Sequence, residues 1–104
     1  MPSRVYAGSS VDVDQDGYFV QPKAWTPAMG DAIAKELGIT MTEIHWRLIN
    51  FARSDFAKRG ESPGMRRLEA ETKIPIKQIY QLFPKGPGKL VAKVAGIPKP
   101  KSCL

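Results

Sequence analysis

The sequence has 104 residues, 42% of them hydrophobic and 25% charged, which excludes a wholly disordered chain and allows one modest core. A formal charge of +6 and a pI near 9.7 favour acidic partners without choosing among nucleic acid, an anionic protein face and a small anion. One cysteine and one histidine exclude the multi-ligand spacing of a structural zinc site.

Residues 11–20 read V-D-V-D-Q-D-G-Y-F-V, two short β-prone runs about Asp16-Gly17, and predict a small hairpin with residues 4–7 adding to it. Asp12, Asp14 and Asp16 alternate here but lack the rest of a calcium loop, so turn chemistry is the expected role. Thr26-Pro27 is a cap followed by proline at the first helical position. Met29, Ile33 and Leu37 continue one apolar stripe, which Gly38 ends. Thr40 to Glu43 reads as a capping box that opens a longer helix, with Ile44, Leu48, Phe51, Ala52 and Phe56 along one side and Gly60 as its stop. Ser62-Pro63 predicts the next helix, carrying Met65, Leu68 and Thr72. After the break at Ile74-Pro75, the residues Ile76, Ile79, Tyr80 and Phe83 predict a short apolar helix. Lys85 to Gly88 reads as a turn, Lys89 to Ala95 as the last helix, and Gly96 as its cap.

The final residues, Ile97-Pro98-Lys99-Pro100-Lys101-Ser102-Cys103-Leu104, contain two prolines and predict an extended basic arm. The arm offers little apolar surface, so mobility in the free protein is expected. Cys103 is the chain's one thiol, and by elimination the leading candidate for covalent chemistry, since no phosphate-cradling glycine loop and no G-x-S-x-G is present. Pro98 and Pro100 stiffen its tether and lower the entropy lost on entering a partner's pocket. Lys93, Lys99 and Lys101 supply positive charge that favours a thiolate or persulfide anion. With no internal disulfide available and no apolar run suited to a signal peptide or membrane span, a cytoplasmic location is expected.

The run L-F-P-K-G-P-G-K at residues 82–89, followed by Lys93-Val94-Ala95-Gly96-Ile97-Pro98-Lys99-Pro100 and a second-to-last cysteine, resembles the DsrC/TusE family. The likeness extends upstream through Asp16-Gly17-Tyr18, Trp25, His45-Trp46, Ile49-Asn50-Phe51 and Ser62-Pro63 with Arg66 and Leu68. That family comprises the sulfite reductase gamma subunit and the sulfur relay protein of tRNA thiolation. The resemblance implies a mainly α fold with a small N-terminal β-hairpin (α+β). Residues 1–96 would form a compact helical domain containing a helix–turn–helix-like element, and residues 97–104 a flexible arm. It also implies a persulfide carried on Cys103, with the protein acting as co-substrate rather than stand-alone enzyme and needing no cofactor. Implied partners are a sulfur-donor complex of the TusBCD/DsrEFH type and an acceptor, either a tRNA thiolase or a sulfite reductase. Arg66, Lys89, Lys93 and Lys99 are the expected contacts to an anion or a partner.

Two markers divide the branches. Two-cysteine members of the family use a second arm cysteine, and its place here is taken by Ala92, which points to the relay branch. The compact connection over residues 71–76 resembles the sulfite-reductase type instead. The missing cysteine is the chemistry and carries more weight. His45 is expected as a neutral, hydrogen-bonded residue at a helix surface, in the first turn, and Trp25, Trp46, Phe51 and Phe56 as core. Without the arm, residues 47–91 resemble the head of tetracycline-repressor-type regulators, with Lys77, Gln78 and Gln81 set toward a major groove. A DNA-binding regulator is therefore the alternative of another class.

Overall fold

The structure, a computed structural model, describes residues 2–101. Strands β1 (Ser3–Tyr6) and β2 (Ser9–Asp12) pair antiparallel, with Arg4 opposite Val11 and Tyr6 opposite Ser9. Ala7 and Gly8 between them both have positive φ, the combination a two-residue hairpin turn requires. The hairpin therefore lies earlier than the sequence pattern predicts. The Asp16-Gly17 turn exists, but it closes only a single bridge between Val13 and Phe19. Asp14 is the turn former: its Oδ1 accepts from the backbone N–H groups of Asp16 and Tyr18, both at 2.9 Å. Those local bonds compete with ladder pairing and stop the strands there.

Among the described residues, a short 3-10 turn (Pro22–Ala24) and five α-helices follow: α1 (Pro27–Glu36), α2 (Glu43–Arg59), α3 (Met65–Thr72), α4 (Ile76–Leu82) and α5 (Pro87–Ala95). Thr26 caps α1 as expected, its hydroxyl accepting from the Met29 N–H at 3.3 Å. The cap of α2 is Thr42 rather than Thr40, and the box is closed by His45. His45 is buried, not at the surface. Its Nδ1 accepts from the Thr42 N–H at 3.1 Å, which leaves Nε2 to carry the proton and donate to the Leu82 carbonyl at 3.0 Å. One neutral ring thus closes the start of α2 and ties it to the end of α4. Proline at the first position starts α5 two residues before Lys89.

The core is formed where α5 packs across α1, α2 and α4. Leu48, Ile49 and Ala52 of α2 are sealed from solvent together with Val91, Val94 and Ala95 of α5. Each of the Leu, Ile and Val side chains among them contributes roughly 1.5–3 kcal/mol on burial. Trp25, Trp46, Phe51 and Phe56 are only partly buried and pack against this core rather than within it. The turn from α3 to α4 is fixed by side chains. Thr72 Oγ1 donates to the Leu68 carbonyl and accepts from the Ile74 N–H, while Glu69 Oε2 accepts from the Ile76 N–H at 2.7 Å. Tyr80, expected on the apolar face of α4, is half exposed. Among the described residues, no helix is long and apolar enough to cross a membrane.

Candidate functional site

The C-terminal arm leaves α5 through a closely packed root. Gly96 adopts φ +67°, and the N–H of Ile97 bonds back to the Ala92 carbonyl at 3.1 Å. This turn lays Ile97 against the domain, where it is only 1% exposed. Trp25 covers the turn so closely that a Cβ on Gly96 would stand 2.3 Å from its Cδ1, and one on Gly30 2.8 Å from its Cζ2. The indole is fixed in place by Nε1 donating to the Val94 carbonyl at 2.8 Å. Arg53 lies 4.2 Å from the same ring and donates to the carbonyls of Ala95 at 2.7 Å and Pro22 at 3.2 Å. Burial lowers the Arg53 pKa, though a guanidinium stays charged at any physiological pH. Glycines at 30 and 96 are thus required by Trp25, and the arm's starting direction follows from that contact.

Beyond the root, the arm crosses the connection between α2 and α3. Ser62 Oγ donates to the Pro98 carbonyl, Pro100 is buried, and Lys101 Nζ lies 3.7 Å from Glu61. The expectation that the arm has little apolar surface to hold it is corrected at Ile97 and Pro100, both of which are packed down. Lys101 reaches a cleft of about 290 Å³ that it lines with Arg59, Glu61, Ser62, Arg66 and Arg67. The cleft is braced from below by Asp55, 4% exposed, which receives Arg67 at 2.8 and 2.7 Å and Arg59 at 2.8 Å. Hydrogen bonds from Arg67, then from Arg59, hold the Asp55 carboxyl below the usual carboxylate range against the opposing effect of burial. Arg59 also pairs with Glu61 at 2.9 Å. Among the described residues, Arg66 is the arginine of this cleft with no hydrogen-bond or ion-pair partner.

Cys103 lies outside the described residues, two peptide units past Lys101, a contour of at most about 7 Å. Of the other expected contacts, Arg66 lines the same cleft as Lys101 of the arm. Lys99 is exposed on the arm itself. Lys89 and Lys93 do not join this cleft. Lys89 lines a separate hollow with Tyr80 and Lys85, and Lys93 places Nζ 5.1 Å over the Tyr18 ring beside the N-terminal turn. Ala92 is buried in α5 rather than carried on the arm. The sequence reading missed Asp55, Arg53 and the role of Ser62. An aspartate between Ala52 and Phe56 on an apolar helix face was the available signal for the first, since a buried acid needs a cation.

These features define a class: a small helical domain with an N-terminal hairpin, built to launch a proline-stiffened basic arm from its last helix. The chain belongs to the DsrC-like family, which matches it over residues 5–104 under the description "DsrC like protein". It is 36% identical to "Sulfurtransferase TusE" of Yersinia pestis over 106 residues, covering 95% of this chain and 97% of that one. It is 35% identical to "Sulfite reductase, dissimilatory-type subunit gamma" of Nitratidesulfovibrio vulgaris over 105 residues, covering all of both. The fold matches the crystal structure of the oxidized gamma-subunit of the dissimilatory sulfite reductase (DsrC) from Archaeoglobus fulgidus with a TM-score of 0.83 at 32% identity, covering 99% of this chain and 100% of that one. The NMR structure of Allochromatium vinosum DsrC gives 0.82 at 32% identity, covering 98% and 97%.

Proposed function

We propose that this protein is a sulfur carrier that holds sulfur as a persulfide on Cys103 and passes it on in a relay toward tRNA 2-thiolation. The observation that carries the reading is the docked arm, which leads to a basic cleft two residues before the chain's one thiol. Loading needs no cofactor. The Cys103 thiolate attacks the outer sulfur of a donor persulfide; a new S–S bond forms, the donor's S–S bond breaks, and the donor leaves as a thiolate. Delivery runs the same displacement with Cys103 as the leaving group. Lys99 and Lys101 favour the anionic form of the nucleophile and of the leaving group alike. Ala92 provides no second thiol for an internal disulfide, so exchange is with other proteins: a donor complex and an acceptor thiolase. A cytoplasmic setting follows from a thiol that must stay reduced.

A second reading, a gamma-subunit-like partner of a dissimilatory sulfite reductase, is favoured by an alignment that needs fewer gaps. The gamma subunit aligns over 105 positions for the whole of this chain, whereas the TusE match spreads 106 positions over 95% of it. Incubation with each partner separates the two readings. A relay carrier delivers labelled sulfur to tRNA through a thiolase, and a gamma-subunit-like partner co-purifies with sulfite reductase and changes its product instead.

A further inference from the structure

The charge of the chain is divided unevenly. From residue 72 onward there are seven lysines and no acidic residue, whereas residues 1–71 hold nine basic and ten acidic residues. Part of this excess gathers away from the arm, at the end of α4 and the start of α5. A hollow of about 230 Å³ there is lined by Tyr80, Lys85, Gly86, Pro87, Lys89 and their neighbours. Tyr80 is 50% exposed, on a different side of the helix from the core that its neighbour Ile79 enters. Among the described residues, no hydrogen bond, ion pair or ring contact occupies the side chains of Tyr80, Lys85 or Lys89. Gly86 and Gly88 beside them carry no side chain that would keep a ligand's backbone from the hollow.

We propose that this face binds nucleic acid through an unpaired base, with Tyr80 as stacking platform and Lys85 and Lys89 as phosphate contacts. A flat aromatic beside two lysines, with no acid among the residues lining the hollow, suits a base and its adjoining phosphates; base stacking accepts any sequence because every base has a π-face. Duplex reading by α3 and α4 is disfavoured by the same structure. The entering end of such a recognition helix is its N-terminus, and here the Glu69 carboxylate sits on the Ile76 N–H at 2.7 Å, facing negative charge toward any phosphate that approached. The basic hollow lies at the opposite end of α4, so the ligand is a single-stranded or looped segment. This activity is independent of sulfur on Cys103.

The test is fluorescence anisotropy of the full-length protein with three labelled probes of mixed sequence: a single-stranded RNA, an RNA stem–loop, and a blunt DNA duplex. The single strand and the loop bind more tightly than the duplex, and binding weakens with salt. Tyr80→Ala weakens loop binding about 10- to 100-fold, the range for loss of one stacked base. Lys85→Ala with Lys89→Ala lowers the slope of log K against log salt by about 1.4, from about 0.7 per phosphate contact on single strands. Lys35→Ala, a control on α1 whose lysine pairs with Asp31, leaves binding unchanged. All these side chains are exposed, and circular dichroism verifies that each variant folds. Equal affinity of wild type and Tyr80→Ala, preference for the duplex, or no salt-sensitive binding would each overturn the proposal.

Discussion

Replacing Gly96 with alanine tests whether Trp25 governs the direction of the arm. Two costs are separable. The first is conformational: φ is +67°, where a Cβ costs about 1 kcal/mol. The second is steric, because the new Cβ would stand 2.3 Å from Trp25 Cδ1, 2.6 Å from Cγ and 2.8 Å from Cβ. The indole must move, and moving it weakens the Nε1 bond to Val94 and the Arg53 stacking, roughly 1 kcal/mol each. The total is about 3 kcal/mol. Gly60→Ala is the matched control, since φ is +77° but nothing stands within 4 Å of its added Cβ. It should cost about 1 kcal/mol only. Urea unfolding followed by tryptophan fluorescence reads both, and thermal midpoints should differ by roughly 10 °C in a domain of this size. Equal losses for the two variants would show that Trp25 yields freely, and the account of the arm's root would fail.

Asp55→Asn should destabilise the fold by roughly 2–4 kcal/mol near neutral pH, because two arginines lose their buried anion while remaining partly hydrated. Its native pKa is depressed, so the wild-type contribution is present above about pH 4 and lost as pH falls through the lower folded value. Chemical denaturation between pH 2 and 6, on the order of that window, should show a drop in wild type that Asp55→Asn lacks; parallel curves would refute the clamp. His45→Ala leaves the Thr42 N–H and the Leu82 carbonyl without their shared partner and should cost roughly 2–4 kcal/mol, measured by the same unfolding curves. Ser62→Ala removes the bond to the Pro98 carbonyl, so trypsin should cut after Lys101 faster than in wild type with the global stability lowered by only about 1 kcal/mol.

Helices were legible in the sequence because their punctuation is local. Thr26-Pro27, Gly60, Ile74-Pro75 and Gly96 each act through the backbone of their own neighbours. The hairpin was misplaced because residues 11–20 carry the better β composition, yet Asp14 bonds its own turn while Ala7-Gly8 supplies the paired positive φ values. His45 was legible as a first-turn hydrogen-bonding residue but not as buried, since its second partner, the carbonyl of Leu82, comes from a helix far along the chain. The same limit applied to the site. Cys103 stood out as the chain's one thiol, and Arg66 by its match to the family pattern. The arm's anchors at Trp25, Arg53 and Ser62 act across the fold, at separations no spacing rule reaches. Lys89 and Lys93 share the arm's sign of charge but face other hollows, because charge alone carries no direction.

Sulfur carriage turns on one atom, the sulfur of Cys103. Intact-mass measurement after incubation with a cysteine desulfurase or a persulfide-bearing donor tests it most directly, with Cys103→Ser alongside. Wild type should gain the mass of one or more sulfur atoms, a thiol reductant should remove them, and the serine variant should gain none. Sulfur that loads equally on Cys103→Ser, or never loads on wild type from any donor, would contradict it.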